Sequence, residues 1–275
     1  MAEVSLLDAV LLGTVEGLTE FLPVSSTGHL TIVEGLLGLP VDDRAVTGFT
    51  AVIQIGAILA VVLFFWRDLL ALARGLLLGL TSAQARSGQD FRFALGVALG
   101  SLPIGVVGFL FRDVIRGPVL RSLTTVGIAL IVWSAVMVLA ERRATQARGE
   151  QDLTVKDALV IGTVQCVALV PGVSRSGATI STGLLLGLDR VAATRLSFFL
   201  SVPALLAAGL FNLPDALDAG VGWGPTLVGT VTSFVVGYAS IAWLLRFVAG
   251  HRITWFVPYR VALGATVLAV LAVTG

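Results

Sequence analysis

Charge is what this sequence has least of: Asp, Glu, Lys and Arg make up only 13% of its 275 residues, against about a quarter in an ordinary soluble domain. With 56% hydrophobic residues and a mean hydropathy of +0.97, that scarcity points to an integral membrane protein. Cysteine is nearly absent. Cys166 stands alone, which excludes an intramolecular disulfide and leaves it small apolar packing as its expected role. No Cys/His cluster shows metal-ligand spacing. A basic n-region is missing too: Glu3 and Asp8 accompany the first apolar run, so no cleaved signal peptide is expected and the first segment should remain in the mature protein. A net charge of +1 offers nothing to draw a nucleic-acid partner. The apolar stretches lack the polar and apolar alternation of a membrane β-strand, and runs such as 51–66 and 124–140 are helical in length. The spans should therefore be α-helices.

What the chain does have is internal repetition. "GTVEGLTEFLPVSSTGHLT" from Gly13 is similar to "GTVQCVALVPGVSRSGATI" from Gly162. Gly13-Thr14-Val15-Glu16 aligns with Gly162-Thr163-Val164-Gln165, Pro23 with Pro171 after a one-residue slip, and Ser26-Thr27-Gly28 with Arg175-Ser176-Gly177. Downstream, Asp43-Arg44 before an apolar run is echoed by Asp189-Arg190 before another. The polar stretch "ERRATQARGEQDLTVKD" is a natural linker, and it divides the chain into 1–150 and 151–275.

Each repeated segment is too interrupted to be an ordinary span, because a Pro/Ser/Gly break separates two short apolar helices. Non-helical backbone at membrane depth is tolerated only inside protein or against a water-filled cavity. The segments 5–39 and 155–188 are accordingly read as re-entrant hairpins whose breaks meet within the bundle. The remaining spans are 48–66, 92–111 and 119–140 in the first half, and 195–213, 224–245 and 255–274 in the second. A hairpin returns to its starting side and three crossings do not, so the expected fold class is an all-α integral membrane protein with an inverted-topology repeat. The apolar segment 69–80 is too short to span and is expected to be an interfacial helix.

One side of this arrangement gathers most of the basic residues, among them Arg67, Arg74, Arg142, Arg143, Arg148 and Arg195. The other has only Arg44, Arg112, Arg116, Arg121 and Arg260. The first side is cytoplasmic by the positive-inside rule, which puts both termini and the mouth of the first hairpin outside.

Glu16 and Glu20 lie four apart, on one helical face, and carboxylates at membrane depth mark a functional site by default. The blander reading leaves them solvated near the interface. If buried, they suit a divalent cation or the steering of water. The stretch Pro23 to His29 reads as a turn into a new helix with a serine cap, so free N–H groups and the positive dipole end would face the cavity as an anion site. The second break repeats that geometry and adds Arg175, whose planar fork suits phosphate oxygens. Close helix packing accounts for the serines and glycines but not for Arg175. Ser25 and Ser26 stand four and three residues before His29, within helical reach of its imidazole, a plausible nucleophile and base. His251, in a loop beside Arg252, is assigned no chemistry.

Together "EGLTEFLPVSSTGHL" and "PGVSRSGATI" resemble the paired signatures of the bacterial undecaprenyl-diphosphatase family, the one associated with bacitracin resistance. The resemblance covers essentially the whole chain; only the loop around 81–92 and the linker near 150 depart from it. It implies a phosphatase of the bacterial cytoplasmic membrane that converts undecaprenyl diphosphate to undecaprenyl phosphate and inorganic phosphate. That recycles the lipid carrier for peptidoglycan synthesis. By the same resemblance Glu16, Glu20, Ser26, His29 and Arg175 are the catalytic set, with Ser25, Thr27, Gly28, Ser174, Ser176, Gly177 and Thr179 around the substrate. Glu16 and Glu20 would bind the implied divalent cation, Mg²⁺ or Ca²⁺, or neutralise and position His29. Serine attack with His29 as base, a phosphohistidine at His29, and direct attack by water remain alternatives. The rival class is a carrier: inverted repeats with broken helices also build anion transporters and would suit a lipid-carrier flippase. The expected partners are the polyprenyl diphosphate and membrane lipids. Gly/Ala-rich faces serve either a homodimer or internal packing.

Overall fold

The computed structural model describes residues 4–39, 44–115, 117–218 and 221–274, the side chains of 44, 118 and 211–218 excepted. The expectations placed on Asp43, Arg116, the side chain of Arg44 and the chain ends lie outside the described residues. The chain runs through α1 (Leu6–Thr19), α2 (Ser26–Leu36), α3 (Arg44–Phe64), α4 (Trp66–Thr81) and α5 (Ala83–Arg86). It continues through α6 (Gln89–Leu110), α7 (Arg112–Ile115), α8 (Pro118–Arg121), α9 (Leu123–Arg143) and α10 (Val155–Gln165). The last helices are α11 (Arg175–Leu185), α12 (Arg190–Asp218), α13 (Trp223–Gly250) and α14 (Val257–Thr274). There is no β-strand among the described residues; Arg148 and Leu188 share a single parallel bridge.

Among the described residues, six helical segments are long and apolar enough to cross a membrane: 45–64, 89–110, 123–143, 190–210, 223–250 and 253–274. Their outward faces carry large apolar side chains such as Leu102, Val106 and Phe109 on α6 and Leu227, Val231 and Val235 on α13, all exposed. In water such a surface would drive association; against acyl chains it is the matching solvent.

The short helices α1 and α10 begin on the same device. At α1 the Ser5 hydroxyl accepts the Asp8 N–H at 3.1 Å while the Asp8 carboxylate accepts the Ser5 N–H at 3.0 Å. At α10 the Thr154 hydroxyl accepts the Asp157 N–H at 3.1 Å and Asp157 accepts the Thr154 N–H at 2.9 Å. Reciprocal capping of this kind satisfies two of the donors that a helix start otherwise leaves open. Arg148 adds a second tie, donating to Asp157 at 2.6 Å and to the Leu186 carbonyl at 3.0 Å. Burial works to raise the Asp157 carboxyl, but hydrogen bonds from Arg148 and Thr154 outweigh it and hold the group below the usual carboxylate range. The polar stretch read as a linker is thus strapped to the start of α10 and the end of α11.

Small residues let these helices approach closely. A Cβ on Gly162 of α10 would stand 1.8 Å from the Gly100 carbonyl oxygen of α6, and one on Gly13 of α1 2.5 Å from that of Gly229 of α13. Without a hydrophobic drive inside lipid, such backbone contact is a main source of helix association. It fixes α1 on α13 and α10 on α6, while α3 packs on α12 and α13. The helix breaks that follow α1 and α10 are thereby delivered to the centre. Phe21, Leu22 and Val24 of the first break share one buried apolar cluster with Ile180, Leu184 and Phe198.

The segment expected at the interface is α4, with Leu70, Leu77, Leu78 and Leu80 exposed. One expectation about charge fails outright. Arg260 belongs to no outer surface: it is fully buried near the start of α14, where carbonyls rather than water satisfy it.

Candidate active site

Each break turns on a non-glycine residue in the left-handed region: Ser25 at φ 80° and Ser174 at φ 77°. Such a backbone costs about 1–3 kcal/mol and persists only where the surroundings over-determine it. Both serines immediately precede a helix, and both are buried. The expected serine cap forms only at Ser174, whose hydroxyl accepts the Gly177 N–H at 3.1 Å. Ser25 does not cap α2. Its hydroxyl instead accepts the Gly172 N–H at 3.0 Å, 147 positions away in sequence.

That bond is one of several that join the breaks. The Ser176 hydroxyl donates to the Leu22 carbonyl at 2.9 Å and sits 3.1 Å from the Ser174 hydroxyl. Arg175 donates to Glu20 at 3.0 Å and to the Ser201 carbonyl at 3.3 Å. Glu20 uses its other oxygen for the Ser26 hydroxyl, at 2.5 Å. A continuous polar chain, Ser26 to Glu20 to Arg175, therefore crosses from the first break to the second. Glu16 and Glu20 are 1% and 7% exposed, which removes the solvated reading.

His29 is held elsewhere. Its Nδ1 is 2.7 Å from the Ser25 carbonyl and its Nε2 2.6 Å from the Tyr259 hydroxyl, with the two rings stacked 5.5 Å apart. A carbonyl only accepts, so Nδ1 carries a proton and Nε2 faces the phenol. The structure does not bring Ser26 and His29 into hydrogen-bond contact. Of the other expected residues, Gly28 packs against Val126 of α9, and Thr179 bonds to the Ser197 hydroxyl at 2.7 Å. Thr27 is exposed and outside the polar chain.

Two charged atoms at this site lack a partner among the described residues, Glu16 Oε1 and Arg175 Nε. Leaving either unmet in a dry interior costs about 1–3 kcal/mol or more. An unmet carboxylate oxygen beside an unmet guanidinium nitrogen suits an anionic ligand carrying a hard cation. Among the described residues no three Asp, Glu, His or Cys side chains are grouped as a metal site. Glu16 with Glu20 nonetheless fits Mg²⁺ or Ca²⁺, which take oxygen ligands, and Mg²⁺ commonly uses one or two carboxylates plus substrate phosphate oxygens.

Sequence reasoning missed two residues here, Tyr259 and Arg260. They are adjacent on α14, inside an apolar run, and no short motif marks them.

A polytopic helical membrane protein with a charged, hydroxyl-rich site sealed between two helix breaks is the class that fold and site define. The chain belongs to the family described as bacitracin resistance protein BacA, which matches residues 9–266. It is 56% identical over 271 residues to undecaprenyl-diphosphatase 3 of Frankia casuarinae, covering 98% of this chain and 97% of that one. Undecaprenyl-diphosphatase 1 of Streptomyces coelicolor is 54% identical over 272 residues, 98% of each chain. The undecaprenyl-diphosphatase of Cutibacterium acnes is 48% identical over 275 residues, 96% of each.

Proposed function

We infer that this chain is an integral-membrane phosphatase that hydrolyses undecaprenyl diphosphate to undecaprenyl phosphate and inorganic phosphate. It thereby returns the lipid carrier to peptidoglycan synthesis and confers bacitracin resistance. The names of its relatives support the reaction, and the polar chain Ser26–Glu20–Arg175 is the observation that carries it onto these residues. The carrier reading draws no support from those relatives.

In the mechanism we favour, the Ser26 oxygen attacks the terminal phosphorus and its proton passes to Glu20, the acceptor it already faces at 2.5 Å. The anhydride bond breaks and undecaprenyl phosphate leaves. Water then attacks the phosphoserine, giving its proton to His29, while Glu20 returns a proton to the Ser26 oxygen as the P–O bond breaks. Arg175 and the N–H groups at the starts of α2 and α11 meet the charge on the phosphoryl oxygens. Glu20 thus takes, towards Ser26, the base role for which helical spacing favours His29. A divalent cation held by Glu16 and Glu20 would supply further charge neutralisation of the diphosphate.

Protein purified in detergent should release phosphate from a polyprenyl diphosphate without any membrane gradient. A chelator should cut that release at least about tenfold, with recovery on adding Mg²⁺. Lipid movement without hydrolysis would overturn the phosphatase, and indifference to chelator would remove the cation.

Several features support an inverted repeat of 1–150 and 151–275 with re-entrant hairpins at 5–39 and 155–188. Both hairpins start on the same capping box, both breaks carry a positive-φ serine, and α1 on α13 mirrors α10 on α6. The cytoplasmic-membrane orientation, with both termini outside, rests on the distribution of Arg and Lys. A cysteine placed in the 112–118 loop is expected to react with an impermeant reagent added to intact cells, whereas labelling at 142–148 would reverse the topology.

A further inference from the structure

Arg260 is the largest side chain with 0% exposure. Its guanidinium reaches five oxygens on three parts of the chain. Nη1 donates to the Pro23 carbonyl of the first break at 3.0 Å, and Nη2 to the Gly172 and Val173 carbonyls of the second at 2.9 and 3.1 Å. Nη2 also meets the Leu130 carbonyl at 3.3 Å, and Nε the Ser134 hydroxyl of α9 at 3.0 Å. None of these partners is a carboxylate, and no ion pair of Arg260 exists among the described residues. A buried cation with only neutral acceptors costs several kcal/mol after relaxation, so a purely stabilising role is better served by apolar packing.

Its contacts have a directional consequence. Within one trans peptide the carbonyl and the following N–H point in opposite directions. Pinning the Val173 carbonyl to Arg260 therefore turns the Ser174 N–H to the far side. That N–H has no acceptor among the described residues, and Arg175 follows directly. Pinning Pro23 and Gly172 together also fixes one break against the other, beside the bond from Gly172 to Ser25.

We propose that Arg260 is a positioning residue for the phosphoryl site: from behind the two breaks it sets their register and aims the Ser174 N–H, without touching the reacting phosphorus. The proposal rests on the phosphatase reading. A misplacement of about 1 Å at a reacting centre costs roughly 10²-fold, and loss of a preorganised donor about 10²–10³-fold. The loss should therefore appear in kcat.

The test compares wild type, Arg260→Lys, Arg260→Met and the peripheral control Arg246→Lys, each taken from a monodisperse peak in detergent with its thermal midpoint recorded. Arg260→Met is expected to lower kcat about 10²–10³-fold with KM within about threefold, and Lys to recover roughly tenfold of that by keeping the charge. Arg246→Lys should match wild type. If Arg260→Met changes the thermal midpoint alone and keeps kcat within about threefold, the positioning role is wrong. Should that variant not fold, Ser134→Ala frees only the Nε contact; an expected kcat loss of about threefold to tenfold at unchanged midpoint supports the role, and an undiminished kcat overturns it. Wild type that releases no phosphate would defeat the functional reading itself, a separate outcome from an active wild type with an equally active Arg260→Met.

Discussion

Replacing Ser26 by alanine is expected to lower phosphate release by at least about 10³-fold while the protein still folds, as removal of a nucleophile does when the remaining groups can only bind and polarise. The side chain is small and only partly buried, so no large cavity opens. What is lost structurally is the 2.5 Å bond to Glu20, which leaves a buried carboxylate oxygen unmet at a cost of about 1–3 kcal/mol. Arg175 still holds the other oxygen of that carboxylate, so Glu20 stays in place. Kinetics of the variant, read as kcat and KM separately, therefore report chemistry more than fold. An unimpaired Ser26→Ala would sink the nucleophile assignment. The comparison with His29→Ala then matters: a phosphohistidine would make the histidine variant the dead one, with Ser26→Ala retaining activity. In the geometry here, His29 is engaged by the Ser25 carbonyl and Tyr259, and its loss should be the smaller of the two.

The sequence carried the architecture far and the site only part of the way. Spans were legible because apolar runs of membrane-spanning length can be satisfied in lipid only as helices, and six helices of that length and composition stand among the described residues. The likeness of "GTVEG" to "GTVQC" is visible in the sequence itself, and Arg175 stood out because a guanidinium amid small residues demands an anion. The partner of Ser26 was not legible. Helical spacing favours His29, three residues on, but Glu20 reaches Ser26 across a non-helical turn that depends on the strained Ser25. Arg260 was misplaced for a related reason. Charge counting assigns an arginine near a span end to the water, and only tertiary structure shows that the carbonyls freed by two distant breaks converge on it. Such carbonyls have no sequence signature, because every residue has one.

The second large effect belongs to Arg175, where catalysis and burial are hard to separate without a double variant. Arg175→Ala should lower kcat about 10³-fold or more, since an arginine meeting the charge of a transferring phosphoryl group is commonly worth 10³–10⁵. It should also destabilise, because Glu20 then stays buried beside Glu16 without its 3.0 Å cation, and breaking one side of a buried pair costs about 3–5 kcal/mol. Arg175→Lys retains a charge but not a fork that can hold Glu20, the Ser201 carbonyl and a phosphate oxygen at once, so activity should fall roughly 10²-fold. The double variant Arg175→Met with Glu20→Gln, read against Glu20→Gln alone because Glu20 is itself the base, separates the two contributions. Removing both charges relieves the unpaired burial, so the thermal midpoint should climb back towards wild type while phosphate release stays near background. Release that recovers together with stability would make the Glu20–Arg175 pair a structural strut. Activity of Arg175→Ala within tenfold of wild type would point the same way, and either result would move the phosphoryl-binding role to the helix starts of α2 and α11.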